Sequence, residues 1–143
     1  MRIPLINYHG YVTSRPFGGM IIPVPAQNSC LREYVQKQGG VYNLPPLESY
    51  YHSCYHQLFG LLRNLPNGES IIMYSLSMLP NIYSDKFDKI KKLSKERNLI
   101  YAFVLENFEC CLTDRKFTNE ASSFELSKLQ SNTDILKIYY DEE

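Results

Sequence analysis

The chain has 143 residues, the length of one ordinary domain, and its 44% hydrophobic and 21% charged content is that of a globular protein. Lys plus Arg and Asp plus Glu both number 15. That balance removes any global attraction for nucleic acid or anionic membrane and favours self-association. No apolar run approaches membrane-spanning length, and Cys30, Cys54, Cys110 and Cys111 form no CxxC pair. The expectation is a cytoplasmic protein with free thiols and no membrane insertion.

In chain order, Tyr8–Thr13 is rich in strand formers and reads as a first strand, with Gly10 permitting close backbone approach. Residues 14–25 hold Pro16, Gly18, Gly19, Pro23 and Pro25, the composition of an ordered loop or lid. It either wraps a ligand or docks on the core through Met20, Ile21 and Ile22. Ala26–Gln38 is a helix, with Leu31, Tyr34 and Val35 as its apolar stripe and Gly39-Gly40 as its stop. Val41–Leu44 is a second strand, ended by Pro45 and Pro46.

Tyr50–Leu65 reads as a helix, with Tyr51, Tyr55, Leu58, Phe59, Leu61, Leu62 and Leu65 on its buried side. Ser70–Tyr74 lacks alternation, as a central parallel strand does. Ser84–Arg97 is a helix carrying six basic residues: Lys86, Lys89, Lys91, Lys92, Lys95 and Arg97. These meet phosphate or form a solvated helix face. Tyr101–Leu105 is the fourth strand. Residues 112–143 read as a less regular appendage to a single 1–143 domain, with a short helix over Asn119–Leu129 and a strand or dimer-making segment over Ile135–Tyr140. Alternating strands and helices predict an α/β three-layer sandwich on a mainly parallel sheet of four or five strands.

In such a sheet, ligands sit beyond the carboxyl ends of the strands. The residues there are Ser14 and Arg15, Pro45 and Glu48, Ser75 and Ser77, and Glu106 and Asn107. Ser14 and Thr13 are hydroxyls at a strand-to-loop turn, where Ser14 is either a nucleophile awaiting activation or a turn cap. Arg15 suits an anionic group or an internal carboxylate. Glu106 is placed to orient hydroxyls or act as a base. Glu109, close behind, would complete a carboxylate pair if the two faced one site. His52 and His56 share a helix face, and His56 is the acid–base candidate from that pair. Neither GxGxxG nor GxxxxGK[ST] occurs, which argues against nicotinamide and P-loop nucleotide sites. No cofactor and no metal is expected.

Two resemblances follow from these residues. Gly10–Gly39 and Leu58–Leu105 resemble the catalytic domain of serine recombinases (resolvases and invertases). The shared features are a hydroxyl-rich turn after the first strand, Gln27 in the following loop, Leu31-Arg32-Glu33-Tyr34 in the helix, and Ile71–Leu76 as the apolar strand. That family's next motif needs an acidic residue and arginines, where this chain has Ser77-Met78-Leu79-Pro80. The resemblance therefore implies the fold and an anion pocket, and argues against DNA strand exchange. The stretches Gly10–Gly19, Ile22–Asn28, Ser77–Pro80 and Leu105–Phe108 resemble text of the sporadic carbohydrate cluster family, associated with bacterial surface-polysaccharide gene clusters.

That second resemblance implies an enzyme or enzyme-like protein acting on a sugar, nucleotide-sugar or sugar-phosphate precursor of a surface glycan. The alternative is a non-catalytic binding or assembly module for a glycosyltransferase complex. Ser14, Glu106 and His56 are its candidate catalytic residues. Thr13, Arg15, Gly18, Gly19, Gln27, Asn28, Ser77 and Asn107 are its candidate binding residues. The expected partners are a sugar ligand, a second copy of the chain and a glycosyltransferase, with no nucleic acid.

Overall fold

The computed structural model describes residues 5–45, 48 and 54–122. Its elements are β1 (Asn7–Tyr11), α1 (Val24–Lys37), β2 (Val41–Asn43), α2 (His56–Asn64), β3 (Ser70–Met73), a 3-10 turn (Leu76–Met78), α3 (Asp85–Glu96), β4 (Ile100–Phe103) and β5 (Phe108–Cys110). A further helical stretch covers 115–122. The five strands form one sheet in the order β2-β1-β3-β4-β5. The first four are parallel, and β5 runs antiparallel to β4, with Phe103 opposite Phe108. The expected α/β sandwich on a mainly parallel sheet is the observed fold.

Each layer follows from side-chain alternation. On one face Tyr8 and Val12 of the β1 segment, Ile72 of β3 and Ala102 of β4 meet Leu31 and Val35 of α1. On the other face Tyr11, Ile71, Met73, Tyr101 and Phe103 meet Leu58 and Leu62 of α2, Phe87 and Ile90 of α3, and Phe117 and Ala121 of 115–122. All four residues of β3 are buried, because both of its faces are covered. That is why its sequence shows no alternation.

The boundaries differ from the sequence expectation in instructive places. The predicted helix Tyr50–Leu65 begins only at His56, and residues 50–53 lie outside the described part. Tyr55 gives α2 no side-chain cap. The cap comes from a distance instead: the buried Glu48 carboxylate accepts the Gln57 N–H at 3.0 Å and the Leu58 N–H at 3.4 Å. A carboxylate at a helix N-terminus satisfies orphan donors and is attracted by the positive end of the helix dipole.

β5 has only three residues, too short for a period-2 signal. It forms a hairpin with β4 across a turn whose Asn107 has φ 55°. The helix expected at Asn119 begins four residues earlier, and Ile135–Tyr140 lies outside the described residues. Leu112, Phe117 and Ala121 are core residues. No helix among the described residues is long and apolar enough to cross a membrane.

Candidate functional site

The strand order locates the crevice. β1 lies between β2 and β3, and the chain leaves β1 through α1 on one face and enters β3 from α2 on the other. The carboxyl ends of β1 and β3 are therefore a topological switch point, where connections diverge and leave an opening. Thr13–Gly19 follows β1 there, Ser75–Ser77 follows β3, and Glu106 reaches in from the turn after β4.

The loop after β1 is built from inside. Gln27 is fully buried on α1 and reaches back to it. Its Nε2 donates to the Thr13 carbonyl at 2.7 Å and to the Ile22 carbonyl at 2.8 Å, and its Oε1 accepts the Thr13 N–H at 3.3 Å. One amide side chain thus closes both ends of the loop. Thr13 is buried, and its hydroxyl accepts the Arg15 N–H at 3.3 Å. Ser14 is exposed between them. Within the loop, Phe17 and Met20 exchange backbone hydrogen bonds of 3.0 and 2.9 Å across Gly18 and Gly19. Both glycines have positive φ, 57° and 75°, the conformation a tight hairpin requires.

Arg15 is only 7% exposed and points into the protein. Its Nη1 donates to the Cys54 carbonyl, its Nη2 reaches the Tyr11 hydroxyl at 3.3 Å, and its guanidinium lies 4.3 Å from the Tyr55 ring centroid. Tyr11 in turn donates to Glu48 at 2.9 Å. Burial pushes the Tyr11 hydroxyl well above its usual range and Arg15 opposes that, so Tyr11 stays a protonated donor. Arg15, Tyr11, Glu48 and the start of α2 form one buried polar network that fixes the loop to α2.

The second half of the crevice is a chain of oxygen atoms. Ser75 is buried and donates to Glu106 Oε2 at 3.0 Å. Its Oγ also accepts the Ser77 N–H at 3.1 Å and lies 2.8 Å from Ser77 Oγ. Glu106 Oε1 accepts the Leu76 N–H at 2.6 Å. Desolvation raises the Glu106 carboxyl above the usual carboxylate range, with the Leu76 and Ser75 hydrogen bonds working against that rise. Gly18 closes over this group: a Cβ added to it would lie 2.7 Å from Ser77 Oγ.

The remaining candidates disperse. Asn28 accepts the Tyr42 hydroxyl at 2.7 Å, holding the ring that approaches Gly10. Asn107 is an exposed turn residue. His56 is exposed at the start of α2, and His52 lies outside the described residues. Glu109 does not pair with Glu106. It accepts from Tyr8 at 3.1 Å and Tyr34 at 2.9 Å, beside α1. A glycosidase-like carboxylate pair is therefore not formed. Ser75, Tyr11 and Glu48 are the network residues that residue-type reasoning passed over. Ser75 and Glu48 do stand among the residues that follow strand ends.

No protein-family model matches the chain, and no curated protein matches its sequence. Among solved structures, it is similar to a resolvase family site-specific recombinase from Streptococcus pneumoniae, with TM-score 0.56 and 10% identity over 96% of this chain and 99% of that one. It is also similar to the N-terminal catalytic domain of TP901-1 integrase, with TM-score 0.50 and 10% identity over 89% and 97% of the two chains.

These findings correct the expectation of a surface-polysaccharide role. The carbohydrate-cluster resemblance finds no support, and the structural relatives are recombination proteins. The sugar ligand, the glycosyltransferase partner and the exclusion of nucleic acid fall with it. The exclusion of nucleic acid rested on net charge, a sum over the whole chain that does not describe a local group such as Lys86, Lys89, Lys91, Lys92 and Lys95, all exposed on α3. The resolvase-type α/β fold is what the chain shares with these proteins.

Proposed function

We propose that this chain is a nucleic-acid-directed domain that engages a phosphodiester backbone at the β1/β3 crevice and binds without exchanging strands. The observation that carries the reading is the switch point of a resolvase-type fold, where the loop after β1 meets the turn after β3 and Ser14 stands exposed. Ser14 and the backbone N–H groups of Gly18 and Gly19 are neutral donors of the kind that position phosphates. The lysines of α3 supply the long-range attraction.

Phosphoryl transfer needs cations aimed at the charge that develops on the transferring group. The arginine at this crevice is committed inward to Cys54, Tyr11 and Tyr55. Met78, buried in the core, occupies the stretch where an arginine-bearing motif would lie. Recognition without strand exchange fits both facts.

Fluorescence anisotropy with a labelled duplex of random sequence tests this reading. Binding at low salt that weakens linearly in log salt is expected, with supercoiled plasmid left intact over long incubation. No binding at low ionic strength contradicts the reading, and plasmid nicking by the purified chain contradicts its binding-only form.

A further inference from the structure

We propose that a pocket between the C-terminal half of α3 and the turn after β5 is a seat for a phosphate group, distinct from the β1/β3 crevice. The cavity measures about 50 Å³, room for a few waters or one small tetrahedral ion. Leu99, which immediately precedes β4, and Leu112, which follows the antiparallel β5, both line it. The pocket therefore lies at the amino ends of the parallel strands, the opposite end of the sheet from the crevice. Both leucines are buried and give it an apolar base.

The charges on its walls have one sign. Lys91 and Lys95 line it from adjacent turns of α3. Like charges at i and i+4 repel each other. Among the described residues no carboxylate lines the pocket, and none lies within ion-pair distance of either lysine. An anion between the two ammonium groups relieves that repulsion. Neutral donors complete the set. Asn98 spends one Nδ2 proton on Asn67 Oδ1 at 2.8 Å, which leaves the other. Thr113 adds a hydroxyl, and Cys111 adds a thiol that burial, with Asp114 second, holds in the protonated form. Ser94 is spent, because its proton goes to the Ile90 carbonyl at 2.7 Å.

Two features oppose an anion here, and two full ammonium charges outweigh them. The C-terminus of α3 carries about half a negative charge. The Ser94 and Lys95 carbonyls that contribute to it accept the Leu99 and Asn98 N–H groups at 3.0 and 3.2 Å, which blunts that end. Asp114 lies outside the lining and turns Oδ2 to the Cys111 N–H at 3.1 Å. The phosphate chemistry that fits has two sources, the free ion and the terminal monoester of a nucleic-acid strand.

The test follows the backbone amides of the full chain by NMR during titration with inorganic phosphate, with ionic strength held constant by sodium chloride. Saturable shifts at residues 94–99 and 111–113 are expected. Lys91→Gln/Lys95→Gln is expected to weaken that binding by about tenfold or more, as the loss of two charged contacts does. Arg32→Gln/Lys37→Gln, the same charge change on α1, leaves it unchanged. Shifts that do not saturate, saturation at residues 13–19 or 75–77 instead, or equal losses in the two variants each overturn the proposal. Duplexes ending in a 5′-phosphate or a 5′-hydroxyl separate the sources. A preference for the phosphorylated end that Lys91→Gln/Lys95→Gln abolishes assigns the seat to a strand end, and equal affinity for both assigns it to the free ion. Absence of duplex binding removes the crevice reading and leaves the phosphate titration to decide this one.

Discussion

Single residues at the crevice carry opposed demands, and two glycines separate them. Gly18 and Gly19 both need positive φ, but only Gly18 also lies against a neighbour. Gly19→Ala is expected to cost about 1 kcal/mol, the backbone term alone. Gly18→Ala adds the 2.7 Å approach to Ser77 Oγ and is expected to cost about 1–3 kcal/mol more, as overpacking does. Chemical denaturation of the two variants checks the difference, and equal losses would show that Gly18 does not press on Ser77.

The titration of Glu106 belongs to the same scale. Its folded-state pKa is raised, so between the ordinary carboxylate value and the folded value the native state binds more protons than the unfolded state. This group's contribution to stability therefore falls as pH rises through that window. Glu106→Gln is expected to remove that slope, which unfolding curves taken across the mildly acidic range would reveal.

Legibility at this scale divides by what holds each residue. Ser77 and Glu106 both follow strand ends, and strand order alone predicts that such residues come together, as these two do at Ser75. The inward turn of Arg15 was not legible, since it depends on Cys54, Tyr55 and Tyr11 meeting it from two other segments. Arg15→Lys is expected to cost about 2 kcal/mol, because an ammonium cannot fork to two acceptors while stacking on a ring. Duplex affinity of the folded protein is expected to stay unchanged. A loss of affinity without a loss of stability would return Arg15 to the role of an anion contact.

The elements were legible in proportion to how local their causes are. α3 announces itself: Ser84 caps it by accepting the Phe87 N–H at 3.2 Å, and Asp85 and Asp88 fill its first turn. Ser84→Ala is expected to cost about 1 kcal/mol by thermal denaturation. α2 was misjudged in length because its cap is Glu48, outside any local capping pattern. β5 was missed because three residues carry no periodicity, and its place is set by cross-strand partners. The helical stretch 115–122 docks through Phe117, whose ring lies 5.8 Å from both Phe87 and Phe103. Phe117→Ala is expected to cost about 3–4 kcal/mol, and a much smaller loss would show that this stretch is not part of the cooperative core.

For the molecule as a whole, architecture and chemistry came apart. The parallel sheet, its layers and the position of the crevice follow from alternating elements and from residue counts between them. The partner does not follow: the even balance of 15 basic and 15 acidic residues and the basic residues of α3 point in different directions, and sequence alone does not choose between a phosphate-binding and a solvated helix face. The resemblance to the carbohydrate-cluster family pointed toward sugars, and the comparisons give it no support. At the switch point between β1 and β3, Arg15 is turned inward and forms part of the wall.

The most direct test of the central claim is to map duplex binding onto the protein by amide NMR at low salt. Shifts concentrated at residues 13–19 and 75–77 and along the exposed lysines of α3, fading as salt is raised, are the predicted result. Binding that leaves those amides unperturbed and moves others instead, or no shift at all with excess duplex, would contradict the account.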